Sequence, residues 1–267
     1  NRPMCTQCVV PTEVRSICVD CAGRGRGNLF GSARAARPRQ WGSVRVSAQT
    51  PVVTYAIVGA CVALWVGDIL TKGVITQYLG FTPIHGLYQP WRILTTAFLH
   101  VNLMHIAFNM VSLYAVGRAL EPALGRGPYF CLYLLSALGG TLGVLGWVLI
   151  DPSSALTVTV GASGAIFGLF GSVFVLQRAA GIDVRAVAGL LAVNLLYGFI
   201  VSGVSWQAHL GGLLFGMLTT WGMLALGKPR SGMTAKKQRR RLYLGIAGMF
   251  LLELVVLVVT YMVLLNI

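Results

Sequence analysis

From Val52 to the C-terminus the chain reads as long apolar runs separated by short polar breaks. Seven runs stand out: Val52–Leu70, Ile93–Gly117, Pro128–Ile150, Gly161–Leu176, Ile182–Val201, Trp206–Leu226 and Leu242–Leu265. None has the polar stripe that a helix of a water-soluble bundle turns outward. The pattern predicts an all-α membrane protein. The fourth run differs in length: about sixteen apolar residues rise about 24 Å, against a hydrocarbon core of about 30 Å. A helix that short cannot reach both faces, so a residue at its start lies below one surface in a pocket that admits water.

Composition agrees. Hydrophobic residues make up 56% of the 267 and charged residues 10%, where a soluble domain carries about 25% charged. The net charge of +14 raises the question of nucleic acid, but its placement answers it. With the N-terminus in the cytoplasm, nineteen of the twenty-one basic residues fall inside and only Lys72 and Arg92 outside. That is the positive-inside bias, with the basic segments free to touch anionic headgroups. No aromatic-interleaved basic face or reader motif accompanies the charge, so no nucleic-acid partner is expected. No secretory signal peptide is expected either, since some fifty polar and basic residues precede the first apolar run.

The polar head holds Cys5-x2-Cys8 and Cys18-x2-Cys21. Paired thiolates at that spacing suit a tetrahedral zinc ion, and a reducing cytoplasm favours metal over disulfides. Nine residues separate the pairs, fewer than a zinc ribbon uses. Upstream ligands alternating with these four in a two-zinc module, or unstructured thiols, are the other readings. Residues 22–50 are a basic linker rich in Gly, Arg and Ala. Cys61 and Cys131, alone in apolar spans, read as inert buried thiols. The expected organisation is 1–21 Cys-rich segment, 22–50 linker, 51–226 six-helix core, 227–241 basic linker and 242–267 seventh helix.

Polar groups at bilayer depth cost about 2.5–3.5 kcal/mol when ionisable, which makes them functional suspects. In the second run His105 and Asn109 are four apart and share a helix face, while His100 lies about 140° round the helix and is expected to serve something else near the helix start. Two convergent donors suit either a developing oxyanion or a pair of interhelical hydrogen bonds. The fourth run opens on Gly161-Ala162-Ser163-Gly164, placing a serine at a helix start where N–H groups are unpaired. The sixth carries His209, followed by Gly212 and Gly216. Gly164 and Gly168 form a matching small-residue face, and two such faces meeting would bring Ser163 within reach of His209. Serine needs a base, and an imidazole of reference pKa about 6.5 suits that role. No carboxylate fits as a third member: Asp151 and Asp183 sit at loop edges, Glu121 and Glu253 at or near the wrong ends of their helices. Phe167, one turn past Ser163, is placed to pack on the imidazole instead.

In this order on runs two, four and six, His100-x4-His105-x3-Asn109, Gly161-Ala162-Ser163-Gly164 and Ala208-His209-Leu210-Gly211-Gly212 resemble the rhomboid protease family. Trp91-Arg92 in the first outer loop and Glu121 after Gly117 resemble two further family elements. The resemblance covers about residues 52–226. It implies a six-helix core and a Ser163–His209 dyad, with His105, Asn109 and the Ser163 N–H as oxyanion hole. It implies no cofactor for catalysis, single-span membrane proteins as substrates, and the fifth helix and the loop over the cavity as a gate. The seventh span makes a six-plus-one arrangement seen in part of the family. Cysteine usage and topology fit a bacterial plasma membrane best, with the site opening outward. Glu253, midway along the seventh span, is expected to face the bundle.

Other readings make different demands. A rhomboid-like binder that holds membrane clients without cutting usually lacks the serine or histidine, and both are present. A channel or transporter lined by His100, His105 and Asn109 predicts repeats that the chain lacks. A zinc metalloprotease needs an H-E-x-x-H that is absent.

Overall fold

The computed structural model describes residues 9–11, 16–18, 50–228 and 232–266. Near the N-terminus, β1 (Val9–Pro11) and β2 (Ser16–Cys18) pair antiparallel, with Val9 opposite Cys18 and Pro11 opposite Ser16. This strand pair belongs to a unit separate from the helical body, which is all-α as expected. Cys5, Cys8, Cys21 and the side chain of Cys18 lie outside the described residues, and the zinc expectation with them.

The helical body runs α1 (Val52–Leu70), three short helices α2 (Val74–Leu79), α3 (Pro83–Gly86) and α4 (Arg92–Thr95), then α5 (Leu103–Leu124) and α6 (Arg126–Trp147). It continues with α7 (Ser163–Ala179), α8 (Arg185–Ile200), α9 (Trp206–Gly227) and α10 (Ala235–Leu264). Among the described residues α1, α5, α6, α9 and α10 are long and apolar enough to cross a membrane. α7 and α8 are apolar but shorter, at 17 and 16 residues. The protein is an integral membrane protein, with a helical bundle of six and a seventh helix behind it.

Two helix starts differ from the sequence reading by seven residues or more, each for a local reason. The second run is not one helix from Ile93. A 3-10 turn at Thr96–Phe98 follows α4, and the chain then breaks before α5. Asn102, in extended conformation, caps α5 by accepting the His105 N–H at 2.8 Å, which satisfies a donor that the helix leaves orphaned. The seventh helix begins at Ala235, seven residues before the apolar run, because Thr234 caps it and Lys and Arg are good helix formers.

Glu121 shows how the first helix is joined on. Its carboxylate is 2% exposed and accepts from the N–H groups of Val53 and Thr54 at 2.9 and 2.8 Å, and from the Thr54 hydroxyl at 2.9 Å. A buried carboxylate thus caps the positive end of α1.

α6 is the central helix. Of its apolar window 67% is buried, against 17% for α1 and for α10. Where α6, α7 and α9 meet, glycines let backbones touch. A Cβ on Gly143 would lie 2.3 Å from Gln207 O, and one on Gly211 2.3 Å from Gly139 O. A Cβ on Gly216 would lie 2.4 Å from Gly168 Cα. With lipid on the outside as apolar as any side chain, this close van der Waals contact is what holds the helices together.

Candidate active site

Ser163 is the first residue of α7 and His209 lies in the first turn of α9. Each stands at a helix start because a loop delivers it there. Ahead of Ser163, Gly161 adopts φ +140°, a region L side chains rarely enter, and its N–H donates to the Thr96 carbonyl at 3.0 Å. Ahead of His209, the Ser205 hydroxyl caps α9 by accepting the Ala208 N–H.

The Gly164/Gly168 and Gly212/Gly216 faces meet, and the result is a distance of 2.9 Å between His209 Nε2 and Ser163 Oγ. His209 is 7% exposed and Ser163 half-buried. Among the described residues Nδ1 of His209 has no protein partner, so no carboxylate orients the imidazole. Phe167 holds the ring instead, stacked at 4.2 Å between centroids and 11° between planes.

His105 faces the serine from α5. A Cβ on Gly161 would lie 2.9 Å from His105 Nε2 and 3.5 Å from Ser163 Oγ, so glycine alone leaves the space the three share. Asn109 is buried one turn on, its amide donating to the His105 carbonyl at 2.8 Å, which fixes its orientation and leaves its second N–H free of that bond. His100 corrects the sequence reading. It precedes the helix, since α5 starts only at Leu103, and its buried ring packs edge-on against His105 at 5.0 Å. A small cavity lined by Thr96, Thr141, Thr159, Gly161 and Gly164 adjoins the serine turn.

Three residues named from sequence sit away from this centre. Glu121 lies sixteen residues along α5 from His105, about 24 Å of helix, and does the capping described above. Arg92 is buried in the first loop and donates to the Gly80 carbonyl at 2.6 Å and to the Gln89 side chain. Trp91 donates to the Tyr78 carbonyl at 3.2 Å. Both brace the loop and do not touch the dyad.

Other contributors escaped the sequence reading. Thr96 receives the Gly161 N–H and donates its own hydroxyl to the Thr159 carbonyl. Trp206, three residues before His209, is packed between Phe199 at 4.3 Å and Trp147 at 4.9 Å, tying the end of α8 to α9 and α6. No periodicity marks these residues, whose roles depend on which distant segments meet.

Fold and site together define a polytopic helical membrane protein with a serine and an imidazole facing each other inside the bundle. The family model for the Rhomboid domain matches residues 88–226, just over half of the chain. The chain is 35% identical over 184 residues to the putative rhomboid protease YdcA of Bacillus subtilis, covering 64% of this chain and 87% of that protein. It is 33% identical over 155 residues to the rhomboid protease GluP of the same organism, covering 55% of this chain and 28% of that protein. To RHOMBOID-like protein 4 of Arabidopsis thaliana it is 30% identical over 189 residues, 66% of this chain and 45% of that protein. The chain belongs to the rhomboid family. It spans less than half the length of GluP and of the Arabidopsis relative, and most of YdcA.

Proposed function

We propose that this protein is an intramembrane serine endopeptidase that cuts single-span membrane proteins in or near their transmembrane segment. The observation that carries the reading is the 2.9 Å approach of His209 Nε2 to Ser163 Oγ inside an apolar bundle. Ser163 Oγ attacks the scissile carbonyl carbon while His209 Nε2 takes the hydroxyl proton, forming a C–O bond and a tetrahedral oxyanion. Collapse breaks the C–N bond, and the imidazolium returns that proton to the leaving amine. Water then attacks the acyl-enzyme, giving up a proton to His209, and the second collapse frees the carboxylic product and restores Ser163. His105, Asn109 and the Ser163 N–H receive the oxyanion, the last at the positive end of α7. No cofactor enters the reaction. Membrane-embedded substrates are supported by α8, which buries only Gly198 along its length and so is the helix most easily displaced from the bundle's side.

Incubating the purified protein in liposomes with a fluorophosphonate probe and a generic single-span reporter tests this. Labelling and cleavage are the expected result. A folded protein that does neither is a client binder and not a protease. Asn109→Ala removes one oxyanion donor and leaves two, so turnover should fall about 10²-fold and stay measurable. Full turnover on the reporter would remove Asn109 from the oxyanion hole.

The charge distribution supports a cytoplasmic N-terminus with the serine opening to the opposite face of a bacterial plasma membrane. The same distribution supports reading residues 1–21 as a cytoplasmic Cys-rich head joined by 22–50 to the 51–226 core, with 227–241 leading into the last helix. Zinc in that head is supported by the spacing of Cys5-x2-Cys8 and Cys18-x2-Cys21 along the sequence. Elemental analysis of the purified protein should find zinc that a Cys5/Cys8/Cys18/Cys21→Ser variant lacks, with Ser163 labelling unchanged. Equal zinc in the two proteins would rule the site out.

A further inference from the structure

The seventh helix fully buries few of its residues against the bundle, and one of them leads to the serine. α10 is 30 residues long, yet Gly245, Ile246, Glu253 and Tyr261 are its only buried members. Gly245, Glu253 and Tyr261 recur every eight residues, each turned about 80° round the helix from the last, so successive buried positions face different neighbours. Tyr261 is the last of them. Its ring joins the apolar cluster of Phe81, Leu142, Leu145 and Ala208, and its hydroxyl donates to the Pro83 carbonyl at 3.1 Å. Gly86 makes the room: a Cβ there would lie 2.1 Å from the Tyr261 hydroxyl and 2.7 Å from the Phe81 ring. The first loop is therefore folded around a tyrosine from the far end of the chain.

Phe81 carries the connection onward. It is fully buried, and its backbone exchanges both hydrogen bonds with Thr159, N–H to carbonyl at 3.1 Å one way and 2.7 Å the other. Two residues later Gly161 makes the turn into Ser163 and is itself tied to Thr96. Tyr261, Pro83 with Phe81, Thr159, and the Gly161–Ser163 turn thus form an unbroken series of buried contacts and hydrogen bonds.

We propose that Tyr261 is a positioning residue for the nucleophile, and that the seventh helix serves the reaction by holding the Phe81–Thr159 bridge against the serine turn. The inference rests on the reading of Ser163 as nucleophile. Tyr261 touches no reacting atom. It acts by pinning Pro83 and packing Phe81, so that the segment before Gly161 has one place to lie and the Ser163 N–H points where an oxyanion forms. A gap of about 1 Å at such a turn is enough to cost about 10²-fold in rate, so loss of one link in the series should be visible in turnover.

Tyr261→Phe tests this in the full-length protein in liposomes, because it keeps the ring and removes only the hydroxyl. The expected result is a loss of about tenfold in kcat and an equal slowing of fluorophosphonate labelling, with KM and thermal unfolding scarcely changed. Met262→Ala, 60% exposed in the same turn, should match wild type. Gly86→Ala pushes on the same hydroxyl, and the double variant with Tyr261→Phe should lose less than the product of the single losses. Wild-type labelling and turnover in Tyr261→Phe overturn the inference. So does a loss that disappears once rates are referred to the folded fraction, or a strictly multiplicative double variant. A folded wild type inert to probe and reporter overturns the serine reading itself, and this inference with it.

Discussion

Ser163→Ala should remove both cleavage and fluorophosphonate labelling, a fall on the order of 10⁴–10⁶-fold, while the helical bundle melts as wild type does. The size follows from what is lost: without Oγ there is no covalent intermediate, and only binding and the oxyanion donors remain. The variant deletes one half-buried hydroxyl whose partner is His209 Nε2, so folding has little to lose. His209→Ala should be nearly as severe, because among the described residues His209 is the base hydrogen-bonded to the serine and no carboxylate backs its imidazole. It also empties the space against which Phe167 stacks, so a small loss of stability should accompany it. In-gel labelling beside a thermal melt of each variant separates the two effects. Cleavage persisting in purified Ser163→Ala would assign the nucleophile elsewhere.

Gly212→Ala should lower activity by about 10²-fold or more through geometry alone. A Cβ at that position would lie 2.0 Å from the Gly164 carbonyl oxygen and 2.6 Å from its carbon. Carbon and oxygen rest comfortably at about 3.3–3.6 Å, and the obstacle is backbone, so no side chain can swing away. α7 and α9 must part by roughly 1 Å. Ser163 is the neighbour of Gly164, and His209 lies three residues before Gly212, so the gap opens directly across the 2.9 Å contact. Displacement of that size costs about 10²-fold in rate, and the strain costs about 1–3 kcal/mol in stability. Gly59→Ala is the matched comparison, since a Cβ there meets nothing within 4 Å and should leave activity and melting unchanged. Cleavage kinetics and melts in the same lipid decide it. Wild-type turnover in Gly212→Ala would mean that glycine contact does not set the distance between base and nucleophile.

The two helices concerned also show how much was legible beforehand. Ser163 and His209 stood out because polar groups are costly in hydrocarbon and each lay beside small residues; both facts are local. Their separation of 46 residues along the chain is bridged by two glycine faces whose spacing was visible, though their meeting was not. His100 marks the limit. Counting helical turns put it on another face of α5, whereas the cap at Asn102 starts that helix late and leaves the His100 ring free to fold back onto His105. A competition between continuing a helix and capping it is settled by what the preceding loop packs on, and an apolar run does not record that.

Other features were wholly out of reach. Glu121 caps a helix 67 residues upstream, Phe81 pairs with Thr159, and Tyr261 reaches back 178 residues to Pro83. By itself the sequence determined that seven apolar segments form a helical membrane bundle, which segments carry the candidate site residues, and which faces are smooth enough for close packing. These follow from hydropathy, residue size and the 3.6-residue period, all of which act over one or two turns. The tertiary structure alone decided the 2.9 Å between His209 and Ser163, the turn that presents the serine, and the helix that braces it. Those depend on which surfaces meet, and contact between distant segments arises from packing the whole chain, which no short stretch of it encodes.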